Sequence, residues 1–186
     1  MHDLFQRLSI DWQTGLTVLS LRGEGESIAK GVERATGVAL PLKANATVTH
    51  NGIRLVWVSP DDYFVIAPAG QAATLEAALR DALLGQHFAV TDVSSGYHLL
   101  SLTGSGARSM LAQGCPLDLH SEKWGSGQCA GSHFFKASLR LWCTSDEPVF
   151  ELLVRRSFAP YVNTMIKKAS LELEVSRSGM DIEAYE

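Results

Sequence analysis

The chain has 186 residues, 46% of them hydrophobic and 19% charged, which excludes a disordered or fibrous protein. That length suits one large domain or two small ones. Its 16 Lys and Arg against 20 Asp and Glu leave a formal net charge of −4, so nucleic acid is not expected as a ligand. Arg155, Arg156, Lys167, Lys168 and Arg177 do cluster, but they share their stretch with Glu151, Glu172, Glu174, Asp181 and Glu183. The charged fraction falls below the average of roughly 25%, a hint that some surface is covered by a partner.

No run approaches the roughly 20 apolar residues needed to span a bilayer. The start, Met1-His2-Asp3-Leu4-Phe5-Gln6-Arg7, lacks the basic and apolar regions of an export signal. Cys115, Cys129 and Cys143 are odd in number and widely spaced, which reads as reduced thiols in a cytoplasmic protein.

An amino-terminal arm over residues 1–13 carries Phe5, Leu8, Ile10 and Trp12 among polar residues. Apolar area of that size needs a dock, on its own domain or on another subunit. A strand is predicted over residues 16–22, then a short helix capped by Ser27 with Ile28, Val32 and Ala35 on one face, stopped at Gly37. Pro41 and Asn45 mark a loop. Strands over residues 46–50 and 53–58 flank Asn51-Gly52, the strongest hairpin signal in the chain. Ser59-Pro60-Asp61-Asp62 is a turn before a strand over residues 63–67. Leu75, Ala78, Leu79, Ala82 and Leu83 then follow helical spacing, and a strand over residues 88–93 connects the two halves.

The order then repeats. A strand over residues 98–103 leads to Ser105, a predicted cap for a short helix with Ala107, Met110 and Leu111, ended by Gly114 and Pro116. The loop Trp124-Gly125-Ser126-Gly127 precedes strands over residues 128–135, 137–143 and 149–155. In the middle strand Leu139, Leu141 and Cys143 alternate with Ser138, Arg140 and Trp142. The last helix is predicted from a Ser157 cap through Tyr161, Val162, Met165, Ile166 and Ala169, with Lys167 and Lys168 at its carboxyl end. Both halves read β-α-β-β-β-α. The expectation is a single pseudo-duplicated α+β domain over residues 14–176, its helices on one face of each sheet, between the arm (1–13) and a tail (177–186).

Motifs of chemistry are sparse. Among six histidines, only His120, five residues after Cys115, has a metal-like spacing, which is no zinc framework. Gly104-Ser105-Gly106 departs from the nucleophile elbow G-x-S-x-G. The same segment opens a helix after a strand, but Ser109 stands where a third small residue belongs and no acidic residue follows at ribose distance. Asp61 and Asp62 fit a turn. Asp92-Val93-Ser94-Ser95-Gly96 fits a sharp connection organised by Asp and Ser side chains. Trp124, in its Gly-rich loop, is a candidate partner contact.

Four motifs stand in order: Trp57-Val58-Ser59-Pro60-Asp61-Asp62-Tyr63-Phe64, Asp92-Val93-Ser94-Ser95-Gly96, the stretch from Leu102-Thr103-Gly104-Ser105-Gly106 to Gly114-Cys115-Pro116-Leu117-Asp118-Leu119, and Val154-Arg155-Arg156-Ser157-Phe158-Ala159-Pro160-Tyr161. Together they resemble the gamma-subunit family of heterotetrameric sarcosine oxidase, over residues 55–166. The resemblance implies a duplicated α+β fold with ferredoxin-like halves, related to the folate-binding domain of the glycine-cleavage aminomethyltransferase and of the tRNA-modifying GTPase. It also implies a complex that oxidatively demethylates sarcosine to glycine. FAD, FMN, NAD, tetrahydrofolate and zinc are implied for that whole complex and none for this chain alone, the flavins belonging mainly to the alpha and beta subunits and zinc to delta. The implied partners are the alpha, beta and delta subunits, with no nucleic acid and no membrane. No catalytic, cofactor-binding or metal-binding residue carries over, so the expected role is accessory, in assembly and stability, with Phe5, Trp12 and Trp124 as interface residues. The alternative is a stand-alone tetrahydrofolate-binding protein or folate-dependent one-carbon transferase. That would need a carboxylate in a pocket, for which Asp92 and Asp118 are the candidates.

Overall fold

The computed structural model describes residues 8–145 and 149–172; Phe5 and the tail over residues 177–186 lie outside them. The alternation Leu8, Ile10, Trp12 becomes strand β1 (Ser9–Gln13), in which Ile10 and Trp12 turn inward and Ser9, Asp11 and Gln13 face solvent. Strand β2 (Thr17–Gly23) leads into helix α1 (Gly25–Thr36), which ends at Gly37 in the left-handed conformation (φ 72°) with its amide on the Glu33 carbonyl. Strands β3 (Thr47–His50) and β4 (Ile53–Ser59) form a hairpin whose two turn residues, Asn51 and Gly52, both have positive φ (48° and 78°). That twist matches the twist of the flanking strands. Strand β5 (Asp62–Ala67), helix α2 (Ala72–Ala82) and strand β6 (Phe88–Asp92) follow.

Strand β7 (Tyr97–Thr103) opens the second round, with helix α3 (Ala107–Ala112) and strands β8 (Cys129–Phe134), β9 (Ala137–Ser145) and β10 (Val149–Arg155). A 3-10 turn (Arg156–Phe158) then leads into helix α4 (Ala159–Glu172). No described helix is long and apolar enough to cross a membrane.

The chain forms two compact units. The amino-terminal one is Thr14–Tyr97 with Gly127–Ala130, and its sheet runs β3-β4-β5-β2-β6. Registry builds its core in rows. Leu55, Val65 and Leu19 stand side by side across β4, β5 and β2, and Trp57, Tyr63, Leu21 and Val90 form the next row out to β6. Ile28 and Val32 of α1 and Leu75 and Leu79 of α2 belong to the same buried cluster. Each such aliphatic side chain removed from water contributes about 1.5–3 kcal/mol.

The carboxy-terminal unit holds residues 8–13, His98–Ser126 and the described residues from 131 onward, and its sheet order is β1-β7-β10-β9-β8. Read from the other edge this is β8-β9-β10-β7-β1, strand for strand the order of the first sheet. The repeat expected from the sequence is therefore present as an α+β duplication. The fifth strand differs in origin. In the amino-terminal unit it is β6, which follows α2, whereas in the carboxy-terminal unit it is β1, from the start of the chain. Strand β1 runs antiparallel to β7 with Ile10 opposite Leu102 and Trp12 opposite Leu100. Its apolar side chains thus cover the core formed by Leu100, Leu102, Leu141, Leu152, Val162 and Ile166.

Three predicted helix caps do not form. Helix α1 starts earlier than Ser27, after Glu24, and the Ser27 hydroxyl donates to the Glu24 carboxylate at 2.5 Å instead of accepting an amide. Helix α3 begins after Gly106, past Ser105, because the amide of Ala107 bonds to the carbonyl of Gly104 (3.0 Å) in a tighter turn. Ser157 lies inside the 3-10 turn, two residues before α4.

Candidate functional site

In the carboxy-terminal unit the short helix α3 buries Ala107, Met110 and Leu111, and this turns Arg108 toward the long loop that follows. Its guanidinium donates to the carbonyls of Leu119 and, at 3.2 Å, Trp124. The same group lies 5.1 Å from the centre of the Phe150 ring, a cation–π distance. Two backbone carbonyls five residues apart are therefore pinned to one fixed charge. Within the loop, Asp118 accepts the His120 amide (3.2 Å) and the Lys123 ammonium (2.6 Å). These bonds hold the Asp118 carboxyl below, and the Lys123 ammonium above, their ordinary ranges. The His120 carbonyl in turn accepts the amides of Lys123 and Trp124.

Leu119 is buried, and Leu117 and Trp124 are half-buried against the unit's core. The indole N–H of Trp124 is buried with no hydrogen-bond partner among the described residues. Residues 117–124 are thus a shaped loop that offers the exposed polar groups of Asp118, His120, Glu122 and Lys123 to the outside. Arg108 was not among the expected site residues. A lone cation amid the apolar positions of a two-turn helix, just before a Gly- and Pro-containing loop, is the signal that points to it.

In the amino-terminal unit Asp92 ends β6. Its Oδ1 accepts the Ser94 amide (2.9 Å) and the Ser94 hydroxyl, whose oxygen accepts the Val18 amide (2.9 Å). These bonds hold the Asp92 carboxyl below its usual range. Asp92 is an exposed corner-former whose acceptor oxygen is occupied by its own chain. Asp92 and Asp118 belong to different units, and each bonds groups within five residues of itself along the chain.

The cysteines are free and buried, with serine or carbonyl oxygens as neighbours: Ser132 for Cys115, Ala46 and Trp57 for Cys129, Ser145 for Cys143. Among the described residues no group of three or more His, Cys, Asp or Glu could hold a metal ion. The Gly104-Ser105-Gly106 junction opens a helix of only six residues. Of the expected interface residues, Trp12 and Trp124 each pack one side against the carboxy-terminal core, and Phe5 lies outside the described residues.

Two five-stranded units of matching strand order, each with its helices, define a duplicated α+β scaffold. A chain of the glycine cleavage system aminomethyltransferase T from Bartonella henselae shares this fold over 88% of the present chain and 46% of its own length (TM-score 0.65, 15% identity). The particular family is narrower. The profile of the sarcosine oxidase, gamma subunit family matches residues 22–172, and the chain belongs to that family. It is 29% identical to the sarcosine oxidase subunit gamma of Corynebacterium sp. (strain P-1) over 157 residues, 84% of this chain and 75% of that one. A sarcosine oxidase subunit gamma from Arthrobacter sp is also 29% identical, over 119 residues, 63% of this chain and 58% of that one. A chain of the heterotetrameric sarcosine oxidase from Corynebacterium sp. U-96, solved with pyrrole 2-carboxylate, superposes with a TM-score of 0.82 at 25% identity, covering 92% of this chain and 88% of that one.

Proposed function

We propose that this chain is the accessory gamma subunit of a heterotetrameric sarcosine oxidase that oxidatively demethylates sarcosine to glycine, with an assembly role and no active site of its own. The observation that carries the reading is the match, over nearly its whole length, to a chain of a solved heterotetrameric oxidase. The local use of Asp92 and Asp118 is in keeping with it. In this reading the alpha and beta subunits carry the flavins, delta carries zinc, and NAD and tetrahydrofolate are met by the whole complex. The outward sides of Trp12 and Trp124, together with Phe5, are contacts to those partners. The protein works in the cytoplasm.

Expression alone and with the neighbouring oxidase chains tests the proposal. Alone, the chain is colourless, inactive with sarcosine and prone to self-associate. Together, a stoichiometric complex is recovered. Sarcosine turnover or micromolar tetrahydrofolate binding by the purified lone chain would overturn it in favour of a folate-dependent one-carbon protein.

A further inference from the structure

The hairpin tip Asn51-Gly52 is set apart by its chemistry as well as by its conformation. Asn45, Asn51 and Asn163 are the asparagines of the chain. An asparagine loses its amide when the backbone nitrogen of the next residue attacks its Cγ. The reaction depends on how crowded that nitrogen is, whether its N–H is held in a hydrogen bond, and whether the carboxamide is free. At Asn51 all three conditions favour it. Gly52 carries no Cβ, and one built there would meet only Pro68 Cγ at 3.8 Å, so the nitrogen is open to approach. Among the described residues the Gly52 amide and the exposed Asn51 carboxamide make no hydrogen bond.

The other two asparagines are protected. Asn45 is followed by Ala46, whose methyl crowds the attacking nitrogen, and the Asn45 carbonyl is fixed on the Cys129 amide at 2.8 Å. Asn163 lies inside α4, where the helix ties up the amide of the β-branched Thr164. The tip at Asn51 also opens at little cost. Strand β3 has four residues, stands at the sheet edge and leaves Val48, Thr49 and His50 exposed. Turning the Asn51 Cα–C bond out of the hairpin disturbs first the neighbouring pair of His50 with Ile53. Local openings of that kind cost far less than global unfolding.

We propose that Asn51 is a covalent modification site, at which the folded chain deamidates through a cyclic imide formed with Gly52. The Gly52 nitrogen gives up its proton to solvent base and bonds to the Asn51 Cγ. The Cγ–Nδ2 bond breaks, and the nitrogen leaves as ammonia with a proton from water. A water molecule then opens the ring. Cleavage of the new Cγ–N bond gives aspartate, which accepts positive φ as asparagine does and keeps the turn. Cleavage of the original peptide C–N bond gives isoaspartate, whose main chain runs through Cβ and Cγ and is one atom longer. That atom falls between β3 and β4 and spoils their register. Since β3 is the last strand of its sheet, the fault stays at the edge. Both products carry one more negative charge than the amide.

The experiment incubates the full chain at mildly alkaline pH, folded and, as the reference, in guanidinium chloride. Isoelectric focusing and peptide mass analysis follow both samples. The folded chain is expected to gain an acidic band, with the mass change of an amide becoming an acid confined to the peptide that holds Asn51. It converts more slowly than the unfolded reference, and faster as pH rises, because the attacking nitrogen must lose its proton. Asn51→Asp supplies the aspartyl product directly and is expected to melt with fresh wild type, whereas the isoaspartyl fraction of aged protein melts lower. Gly52→Ala crowds the nitrogen and is expected to slow conversion in guanidinium chloride too, where the turn plays no part. Conversion of Asn45 or Asn163 in the folded chain as fast as Asn51 would overturn the proposal. So would a folded chain still amidated at Asn51 long after the unfolded reference has converted completely.

Discussion

The ring of Phe135 lies so close over Gly114 that a Cβ at position 114 would stand 2.5 Å from its Cδ2 and 2.6 Å from its Cε2. The contact joins the end of the α3 segment to the tip of the β8–β9 hairpin. Phe135 has a φ of 50°, unusual for a bulky side chain, and a conformation of that kind costs on the order of 1–3 kcal/mol. Its surroundings hold it there. Its amide donates to the Gly114 carbonyl (2.8 Å), its carbonyl lies 2.8 Å from His133 Nδ1, and its ring meets Phe134 edge-on at 4.8 Å.

Gly114→Ala should therefore destabilise the protein by about 1–3 kcal/mol, the usual cost of overpacking a tight contact. Urea denaturation of the lone chain measures it. A change below about 0.5 kcal/mol would mean that the ring moves aside freely and the contact is not a constraint.

Arg108 offers a different test, because its role depends on geometry as well as charge. A lysine keeps the charge but cannot fork between the carbonyls of Leu119 and Trp124 while lying over Phe150. Arg108→Lys should lose about 1.5–3 kcal/mol, the worth of one hydrogen bond from a charged donor. Amide hydrogen exchange should quicken over residues 117–124 while β9 and β10 keep their protection. Equal exchange in the two proteins would show that the loop holds itself without Arg108.

The corner at Asp92 carries a pH signature. Its folded pKa lies below the unfolded value of about 3.9, so its contribution is fully present above that value and is lost as pH falls through the folded one. Stability should therefore decline below about pH 4 by an amount that Asp92→Asn removes. The carboxylate is exposed, which keeps that amount below about 1 kcal/mol. Ser94→Ala should cost more, about 1–2 kcal/mol near neutral pH, since it removes the bond to Asp92 and also takes the acceptor from the Val18 amide. If thermal melts of Asp92→Asn and wild type diverge further as pH drops from 5 to 3, the sign is wrong.

What could be read from the sequence was whatever depends on neighbours along the chain. Asn51-Gly52 specified its hairpin because two adjacent residues tolerate positive φ, and the spacing of Leu75, Leu79 and Leu83 marked α2 because a helix contacts itself every three or four residues. The order of elements in each half could be read for the same reason. The partner of β1 could not, since Ile10 meets Leu102 and Trp12 meets Leu100 across some ninety residues. Serine caps were misplaced because a hydroxyl has several local partners. Ser27 took a carboxylate, and at the α3 entry the Gly104 carbonyl took the Ala107 amide. The loop around Trp124 was visible as Gly-rich, but its anchor was hidden in a helix too short to show a face. Asp92 was readable as a corner, since the group it organises lies two residues away.

The amino-terminal strand gives the sharpest separation of fold from assembly. Removing residues 1–13 takes away all five β1–β7 pairs and leaves β7 as an open edge. It also strips Leu8, Ile10 and Trp12 from the core of the carboxy-terminal unit. Burial of Leu8 alone is worth about 1.5–3 kcal/mol, so the truncated chain should melt several degrees lower and aggregate more readily even with no partner present. Trp12→Ala is the milder form, keeping the strand and losing one half-buried ring. If residues 1–13 served only as a contact to another subunit, truncation would leave the lone chain's melting temperature unchanged and lower only its recovery in the complex. A drop in both, with Trp12→Ala placed between wild type and truncation, is the outcome expected of a strand that completes its own sheet.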